Sequence, residues 1–372
     1  MDRRKFLKLV STGTVVCSVQ GIFTLTGCGG SNVIRKKVQA DPEWFMNGTP
    51  KYMVSDSHFH YVDFLQDTEG LNALLRNMNG NGVEHIMMSG MPLIKKWNKD
   101  DPVPPKYYLD NNSRTYWYSA TDYYVAETVE TIPEAERYRF HPYICAFNPT
   151  DKYGVEHVKR MITQYGDLWE GIGEIFGHRD DLTNLTYGER ARANHVALDP
   201  VYELAARKDL PVCLHNNCTS RNKLDNPVYV YEVEDALKKH PETRITWAHA
   251  GLSRYLDVDQ DKYTEMLGKM LSQYSNLWID LSWIVYEDFI TDGRHMYEVK
   301  SCWLELINSF PDKFMIGSDA VGNFKNYAFN IRKYYTLLDN LPKDTAKKVA
   351  RDNYLSTLPE RVRKKLAERE RV

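Results

Sequence analysis

The chain has 372 residues, of which 42% are hydrophobic and 12% aromatic, and this is enough apolar material to bury one large core or two ordinary ones. The 48 Lys and Arg residues nearly balance the 50 Asp and Glu residues, so the formal net charge of -2 offers no broad basic field for a nucleic-acid backbone. A mean hydropathy of -0.54 excludes a protein with several membrane spans, each of which needs about 20 mostly apolar residues.

Residues 1–27 have the pattern of an export signal. Arg3 and Arg4 open a positively charged start, a mildly apolar stretch follows, and small residues precede Cys28. The segment resembles a twin-arginine signal peptide that ends in a lipobox. This implies a lipidated Cys28, a tether over residues 28–50 and anchoring on the periplasmic side of the bacterial cell envelope, with the outer membrane as one destination. The membrane contact would then be made by the lipid only. The alternative is a short amphipathic helix.

The cysteines do not form a recognisable framework. Of the six, Cys17 and Cys28 belong to this leader. The other four show neither CxxC nor zinc-finger spacing, and most lie in apolar runs, where a thiol is usually a small hydrophobic side chain. The sequence therefore predicts no disulfide framework among Cys145, Cys213, Cys218 and Cys302.

Beyond the tether, short apolar runs alternate with amphipathic stretches, which predicts repeated βα units. The apolar runs are residues 52–59, 84–89, 141–147, 171–176, 210–215, 244–249, 276–281 and 313–319. The helical stretches are residues 69–79, 155–165, 200–208, 228–240, 263–274, 297–308 and 344–355. We expect an α/β fold in which residues 51–358 form a single-domain (β/α)8 TIM barrel, followed by a charged C-terminal tail over residues 359–372. The alternative is an open, doubly wound sheet.

The connection formed by residues 90–139 is too long for a plain helical crossover, and it is rich in tyrosine. Long loops in compact domains are usually functional, and those that leave the carboxyl ends of barrel strands surround the active site. We expect a lid or a wall of the substrate site after the second strand. The alternatives are aromatic packing against the barrel or a subunit contact, the latter consistent with a homo-oligomer.

Metal-capable side chains end five of the predicted strands. His58 and His60 lie two residues apart, so on a strand they face the same way and could bind one cation. The carboxyl ends of barrel strands meet at one rim, where active sites lie. Neutral imidazoles and carboxylates suit zinc, iron, manganese or nickel, and we expect one or two divalent cations, with zinc favoured. The predicted ligands are His58, His60, Glu174, His215, His249 and Asp319.

The same positions carry motifs that resemble the amidohydrolase superfamily, and in particular its amidohydrolase 2 family. The matching segments are residues 56–60 (DSHFH), 214–215 (LH), 248–251 (AHAG), 278–283 (WIDLSW), 317–319 (GSD) and 350–355 (ARDNYL). The resemblance implies a barrel enzyme in which His58, His60, His215 and Asp319 bind metal. It further implies that His249 is either a ligand of a second metal or a catalytic acid or base.

Glu174 distinguishes one metal from two. In the family that the motifs resemble, members with two metals place a bridging carboxylate at the end of the fourth strand, whereas decarboxylases with one metal generally lack it. Two cations about 3.5–4 Å apart could share such a bridge. The alternative is a salt bridge inside the barrel, with Arg179 as a partner. Asp56, two residues before His58, is a candidate hydrogen-bond partner for a ligand imidazole.

These features predict a metal-dependent hydrolase that uses a metal-activated water on an ester, lactone, amide or phosphoester bond of a small molecule. Asp319 would be a ligand and the general base, and His249 would bind the second metal or orient the substrate. Two alternatives stay open. One is a decarboxylase with one metal that acts on an aromatic or unsaturated carboxylic acid, and the other is a catalytically inactive binding lipoprotein. The residues expected to contact the substrate are Arg179, Asn216 and Trp283.

Overall fold

In the computed structural model, the described residues are 48–97, 100–106, 113–179, 182–219, 226–253, 256–293, 296 and 298–371. The predicted leader, the predicted lipidation site Cys28 and nearly all of the predicted tether lie outside them. Among the helices that the described residues form, none combines the length and the apolar character needed to cross a membrane.

Eight strands build one parallel sheet, and each predicted apolar run overlaps one of them. Continuous apolar runs are expected where a parallel strand is covered on both faces. In chain order the strands are β1 (Val54–Asp56), β2 (Phe59–His60), β3 (Val83–Met88), β4 (Leu93–Lys95), β5 (Thr115–Trp117), β6 (Phe140–Ile144), β7 (Gly171–Phe176), β8 (Val212–His215), β9 (Ile245–Trp247), β10 (Leu277–Asp280), β11 (Phe314–Met315) and β12 (Ala320–Val321). The order in the sheet is β1-β3-β6-β7-β8-β9-β10-β11.

The short strands β2 and β12 bring the two edges of this sheet together. They are parallel neighbours. The backbone N–H of Ser57 donates to the carbonyl of Ile316 at 3.1 Å, and the N–H of Asp319 donates to the carbonyl of His58 at 2.8 Å. The last strand unit therefore lies beside the first, as a (β/α)8 barrel requires. The predicted α/β barrel is confirmed, and the open, doubly wound sheet is excluded.

Helices follow the strands and cover the outside of the barrel. They are α1 (Leu71–Gly80), α2 (Ala120–Thr131), α3 (Glu134–Arg137), α4 (Gly154–Tyr165), α5 (Asp199–Arg207), α6 (Val230–Lys239), α7 (Gln260–Gln273), α8 (Ser301–Ser309), α9 (Tyr327–Arg332), α10 (Tyr335–Asn340), α11 (Lys343–Lys347), α12 (Asn353–Thr357) and α13 (Glu360–Arg369). In α7, Asp259 caps the first turn by accepting bonds from the backbone N–H groups of Asp261 and Lys262. Tyr263 and Leu267, four residues apart, bury one face of that helix.

The C-terminal helix α13 packs under the barrel. Arg361 donates to the carbonyl of Trp169, just before β7, which places the helix at the amino ends of the strands. Val362 and Leu366 join a buried cluster with Met315 of β11. The segment predicted as a charged tail thus contributes an amphipathic helix, with its charged side chains toward solvent.

The long connection after the second strand of the sheet carries the antiparallel hairpin of β4 and β5, followed by α2 and α3. The hydroxyl of Thr115 in β5 donates to the carbonyl of Leu182 at 2.9 Å. Leu182 lies in the connection that leaves the carboxyl end of β7. The hairpin is therefore joined to the rim of the barrel where the predicted ligands lie.

Two buried histidines form a hydrogen-bonded chain that ends on a carboxylate. Nδ1 of His85 lies 3.1 Å from Nε2 of His141, and Nδ1 of His141 bonds to Glu170. Because the carboxylate accepts, Nδ1–H of His141 donates to Glu170. Burial, and next the neighbouring His141, lowers the pKa of His85 to about 2, so this ring is neutral in the folded protein.

His85 should make the stability of the fold depend on pH. Its folded pKa of about 2 lies below the ordinary value of 6.5, so the unfolded chain binds more protons between these limits. The free energy of unfolding should therefore fall below about pH 6.5, by up to about 1.4 kcal/mol per pH unit from this group. Urea unfolding of metal-free wild type and His85→Gln over that range measures the contribution. If the free energy of unfolding depends on pH equally in the two chains, His85 does not titrate on unfolding.

Candidate metal centre

His58 and His60 lie at the end of the first strand unit, and both are buried. Their Nε2 atoms are 3.3 Å apart. Gly317 allows this packing, because a Cβ on it would lie 2.8 Å from the Cβ of His58. The glycine of the GSD motif is thus required where the first and last strand units touch.

Glu174 lies on β7 at the centre of the cluster. Its Oε2 atom is 3.2 Å from Nε2 of His60. Its Oε1 atom is 2.8 Å from Nδ1 of His215. The same oxygen is 3.5 Å from Nε2 of His58 and from Nε2 of His249. The two oxygens of this carboxylate therefore face different imidazoles, as the oxygens of a carboxylate between two cations would.

The strand reaches this position through a glycine. Gly173 has a φ of 128°, and a Cβ on it would lie 2.3 Å from the backbone oxygen of Cys213 in β8. A side chain at residue 173 would therefore push β7 away from β8. The glycine before Glu174 keeps the two strands close enough for Glu174 to contact His215.

Asp319 completes the cluster from the last strand unit. Its Oδ1 atom lies 3.6 Å from Nε2 of His58 and from Nε2 of His60. Its Oδ2 atom lies 3.9 Å from Nε2 of His249. The backbone of Asp319 has a φ of 46°, which an L residue rarely adopts. The structure thus brings five of the six predicted ligands into two overlapping groups, and the sixth, His215, contacts them through Oε1 of Glu174.

Two of the ligand imidazoles are oriented by amide oxygens. Nδ1 of His60 lies 2.8 Å from the carbonyl oxygen of Gly90, which can only accept. His60 therefore donates through Nδ1–H and keeps a lone pair on Nε2. Nε2 of His215 lies 3.0 Å from Oδ1 of Asn217. With that oxygen as the acceptor, His215 keeps its lone pair on Nδ1, which faces Glu174.

The other two are oriented by residues that the sequence interpretation did not select. Nδ1 of His58 lies 2.8 Å from Oδ2 of Asp280, and Nδ1 of His249 lies 2.9 Å from Oγ of Ser282. Both belong to the WIDLSW segment, which was recognised as a family motif without a role for these side chains. The available signal was their place at the carboxyl end of an apolar run, because Asp280 ends β10 and Ser282 lies in the turn that follows.

When the four rings are neutral and hold their protons on the outward nitrogens, the atoms that point inward are all hydrogen-bond acceptors, a set that suits a cation. Nε2 of His249 is buried and has no hydrogen-bond partner within the described part of the chain. Burial by itself raises the pKa of Glu174, but the imidazoles of His58 and His215 hold it well below its ordinary value. Burial lowers the pKa of His58, yet the carboxylates of Glu174 and Asp319 raise it well above its ordinary value.

Two overlapping groups of side chains could each hold a metal ion. Their donors are imidazole nitrogen and carboxylate oxygen, which divalent transition metals accept. His58 belongs to both groups. The first group is His58, His60 and Asp319, and the second is His58, Glu174 and His249.

A cleft of about 480 Å³ opens at His60 and Asp319. Arg179 and Trp283, both predicted to contact the substrate, line it. The guanidinium of Arg179 lies 5.2 Å from the centroid of the Trp283 ring, and that ring lies 5.2 Å from the ring of His249. Lys106, from the long connection, also lines the cleft, so this connection contributes part of the cleft wall.

Asn216 has a structural role and does not contact the cleft. Its Oδ1 atom accepts from the backbone N–H groups of His178 at 2.8 Å and Ala193 at 3.1 Å. Its Nδ2 group donates to Glu232 at 3.0 Å, and the side chain is fully buried. The expectation of a substrate contact is therefore replaced by a structural role in joining β7, β8 and α6.

The expected role of Asp56 was wrong. Its carboxylate accepts from the backbone N–H of Ser318 at 2.8 Å, from that of His58 at 3.3 Å and from the hydroxyl of Tyr327 at 2.8 Å. It therefore fixes the backbone next to Asp319 and His58, and the imidazole of His58 is held by Asp280.

The family assignment agrees with this geometry. The family model described as Amidohydrolase, that of the amidohydrolase 2 family, matches residues 55–367. The chain therefore belongs to this family. Membership implies an enzyme that acts on a small molecule, and it leaves the reaction open. No curated protein matches the chain.

Several solved structures have a similar fold. A candidate amidohydrolase from Staphylococcus aureus has a TM-score of 0.50 at 12% identity, over 82% of this chain and 99% of that one. An uncharacterised TIM-barrel protein from Bordetella bronchiseptica has a TM-score of 0.49 at 13% identity, over 77% of this chain and 83% of that one. A dihydroorotase from Campylobacter jejuni has a TM-score of 0.49 at 16% identity, over 82% of both chains. At such identities the first similarity shows the fold alone.

The adjacent residues Asn216 and Asn217 should respond differently to truncation. Asn216→Ala leaves two backbone N–H groups and a carboxylate oxygen without their partner, so the free energy of unfolding should fall by about 2–4 kcal/mol. Asn217→Ala removes the group that orients His215, so zinc affinity should fall about 10–100-fold with a smaller loss of stability. Urea unfolding of the metal-free chains and zinc titration measure the two effects. Indistinguishable behaviour of the two variants would contradict this division of roles.

Proposed function

We propose that this protein is a metal-dependent hydrolase that cleaves an ester, lactone, amide or phosphoester bond of a small molecule. The observation that carries the proposal is the position of Glu174. Its two oxygens face His60 on one side and His215 with His249 on the other. A carboxylate so placed suits two divalent cations, and this supports a site with two metals over a site with one.

The residues that would hold the cations are His58, His60, Glu174, His215, His249 and Asp319. We favour zinc, because the donors are mainly imidazole nitrogens supplemented by carboxylate oxygens. When bound, a divalent cation supplies a coordinated water with a pKa lowered toward about 7 and polarises an oxygen of the scissile group.

Asp319 would act as the general base. It is the carboxylate that lies both in the ligand cluster and on the wall of the cleft, so it can reach a reacting water and the leaving group. Its backbone bond to His58 and its left-handed backbone fix the carboxylate at the last strand end. His249 would complete the second cation position, since its buried Nε2 points at Glu174.

Arg179 and Trp283 would bind the substrate. The guanidinium lies over the rings of Phe176 and Trp283, at 5.6 and 5.2 Å from their centroids. Stacking between rings limits the orientations of this side chain, which prepares it to bind a carboxylate or a phosphate at the cleft.

Metal analysis and a substrate screen of the chain expressed without its leader test this function. We expect about two metal equivalents per chain, and hydrolysis of one compound in a panel of lactones, esters, amides and phosphoesters. Asp319→Asn should lower kcat by at least about 100-fold, because the general base is lost. Asp312→Asn, a carboxylate on the surface, is the matched control.

Two results would overturn the proposal. One metal equivalent together with release of carbon dioxide from an aromatic acid would support the decarboxylase instead. Full activity of Asp319→Asn on the identified substrate would show that another group is the base.

We further propose that the chain is exported by the twin-arginine route and anchored by a lipid on Cys28. The support is the sequence of the leader, which lies outside the described residues. Cys28→Ala should move the protein from the membrane fraction to the soluble periplasmic fraction, because a cysteine thiol is the site of lipid attachment. Replacing Arg3 and Arg4 with lysine should block export. Retention of the Cys28→Ala protein in membranes would contradict the lipid anchor.

A further inference from the structure

Asp280 ends β10 and is fully buried beside the ligand imidazoles. Its Oδ2 atom lies 2.8 Å from Nδ1 of His58 and 2.6 Å from Oγ of Ser282. Its Oδ1 atom accepts the backbone N–H of Ser282 at 2.8 Å. Oγ of Ser282 in turn lies 2.9 Å from Nδ1 of His249 and 3.3 Å from Nδ1 of His58, for which Asp280 is the closer partner. One carboxylate is thus connected directly to one imidazole and, through a hydroxyl, to a second.

The direction of each of these hydrogen bonds follows from the groups involved. A carboxylate can only accept, so Nδ1–H of His58 and the O–H of Ser282 both donate to Asp280. The hydroxyl has then used its proton, and its oxygen accepts from Nδ1–H of His249. Each ring therefore keeps a proton on Nδ1 and a lone pair on Nε2. Nε2 is the atom that faces Glu174 in both rings.

Packing holds this chain of bonds in place. The rings of His58 and His249 are stacked, with their centroids 4.8 Å apart. Gly317 lies against both His58 and Ser282, since a Cβ on it would be 2.8 Å and 3.2 Å from their Cβ atoms. The rings, the hydroxyl and the last strand unit are therefore in contact with one another, and the hydrogen bonds decide which nitrogen of each ring carries the proton.

We propose that Asp280 is the positioning residue for two of the four ligand imidazoles, acting directly on His58 and through the hydroxyl of Ser282 on His249. The inference rests on the proposed metal site and extends it to two residues outside the ligand set. His58 belongs to both groups that could hold a cation, whereas His249 belongs to one. Loss of the Ser282 hydroxyl should therefore weaken one cation position, and loss of the Asp280 charge should weaken both.

Zinc titration of the full chain, first stripped of metal with a chelator, tests this difference between the two residues. Ser282→Ala leaves Nδ1–H of His249 without its acceptor, so the affinity of one position should fall about 10–100-fold and that of the other less than about twofold. Asp280→Asn offers one acceptor oxygen to four donors, the fourth being the backbone N–H of His249 at 3.5 Å, so both affinities should fall about 10–100-fold. Ser57→Ala is the matched control, because this buried hydroxyl donates to the backbone carbonyl of Ile316 at 2.9 Å.

Histidine tautomers give a readout that a merely structural role would not move. Nitrogen NMR of the metal-free, histidine-labelled chain at alkaline pH distinguishes Nδ1–H from Nε2–H rings. Relative to wild type, Ser282→Ala should alter one ring and Asp280→Asn two rings, and Ser57→Ala should alter none.

The possible outcomes separate this inference from the proposed function. If the wild type binds zinc and both variants bind it like Ser57→Ala, the positioning role is wrong and the metal site stands. The same conclusion follows if the variants lower only the unfolding free energy of the metal-free chain. If the wild type binds no divalent metal, the proposed function fails and this inference fails with it.

Discussion

The centre of the barrel is a set of acceptor atoms that a positive charge must hold together. Glu174 and Asp319 bring carboxylate oxygens to within 2.8–3.9 Å of imidazole nitrogens. Buried acceptors without donors repel one another and lose their hydration, so this arrangement is costly unless a cation lies among them. The pKa of His58 is raised and the pKa of Glu174 is lowered for the same reason, since the carboxylates favour a positive charge beside them. Most other features of the rim serve to keep these atoms in place.

The backbone of the barrel positions these atoms as much as the side chains do. Closure between β2 and β12 places Asp319 beside His58, and Asp56 accepts hydrogen bonds from the backbone on both sides of that junction. Left-handed backbone is concentrated at the strand ends, at His249, Trp283 and Asp319. Unfavourable conformations of this kind persist where the surrounding structure determines them, and here they aim functional groups at one cleft.

The residues that were predicted and those that were missed differ in kind. The ligands could be found because each is a metal-capable side chain at the end of an apolar run, and strand ends of a barrel converge. Asp280 and Ser282 were missed, and Asn216 was misassigned, because their roles depend on which neighbour receives a hydrogen bond. Asn216 and Asn217 are adjacent in sequence, yet one joins strands to a helix and the other orients His215. Both follow the end of β8, where the backbone is no longer a strand, so the direction of each side chain was not readable from the sequence.

The sequence by itself determined the alternation of strands and helices, which favoured a barrel over an open sheet, and the identity of the residues able to hold a metal. These follow from local apolar periodicity and from the chemistry of single residues, and both can be read from the sequence without any tertiary contact. Only the tertiary structure decided which nitrogen of each imidazole faces inward. It also decided that α13 packs at the amino ends of the strands and that Asp280 connects two ligands. Those features depend on contacts between segments distant in sequence, such as His58 and Asp280, which become neighbours only when the cylinder closes.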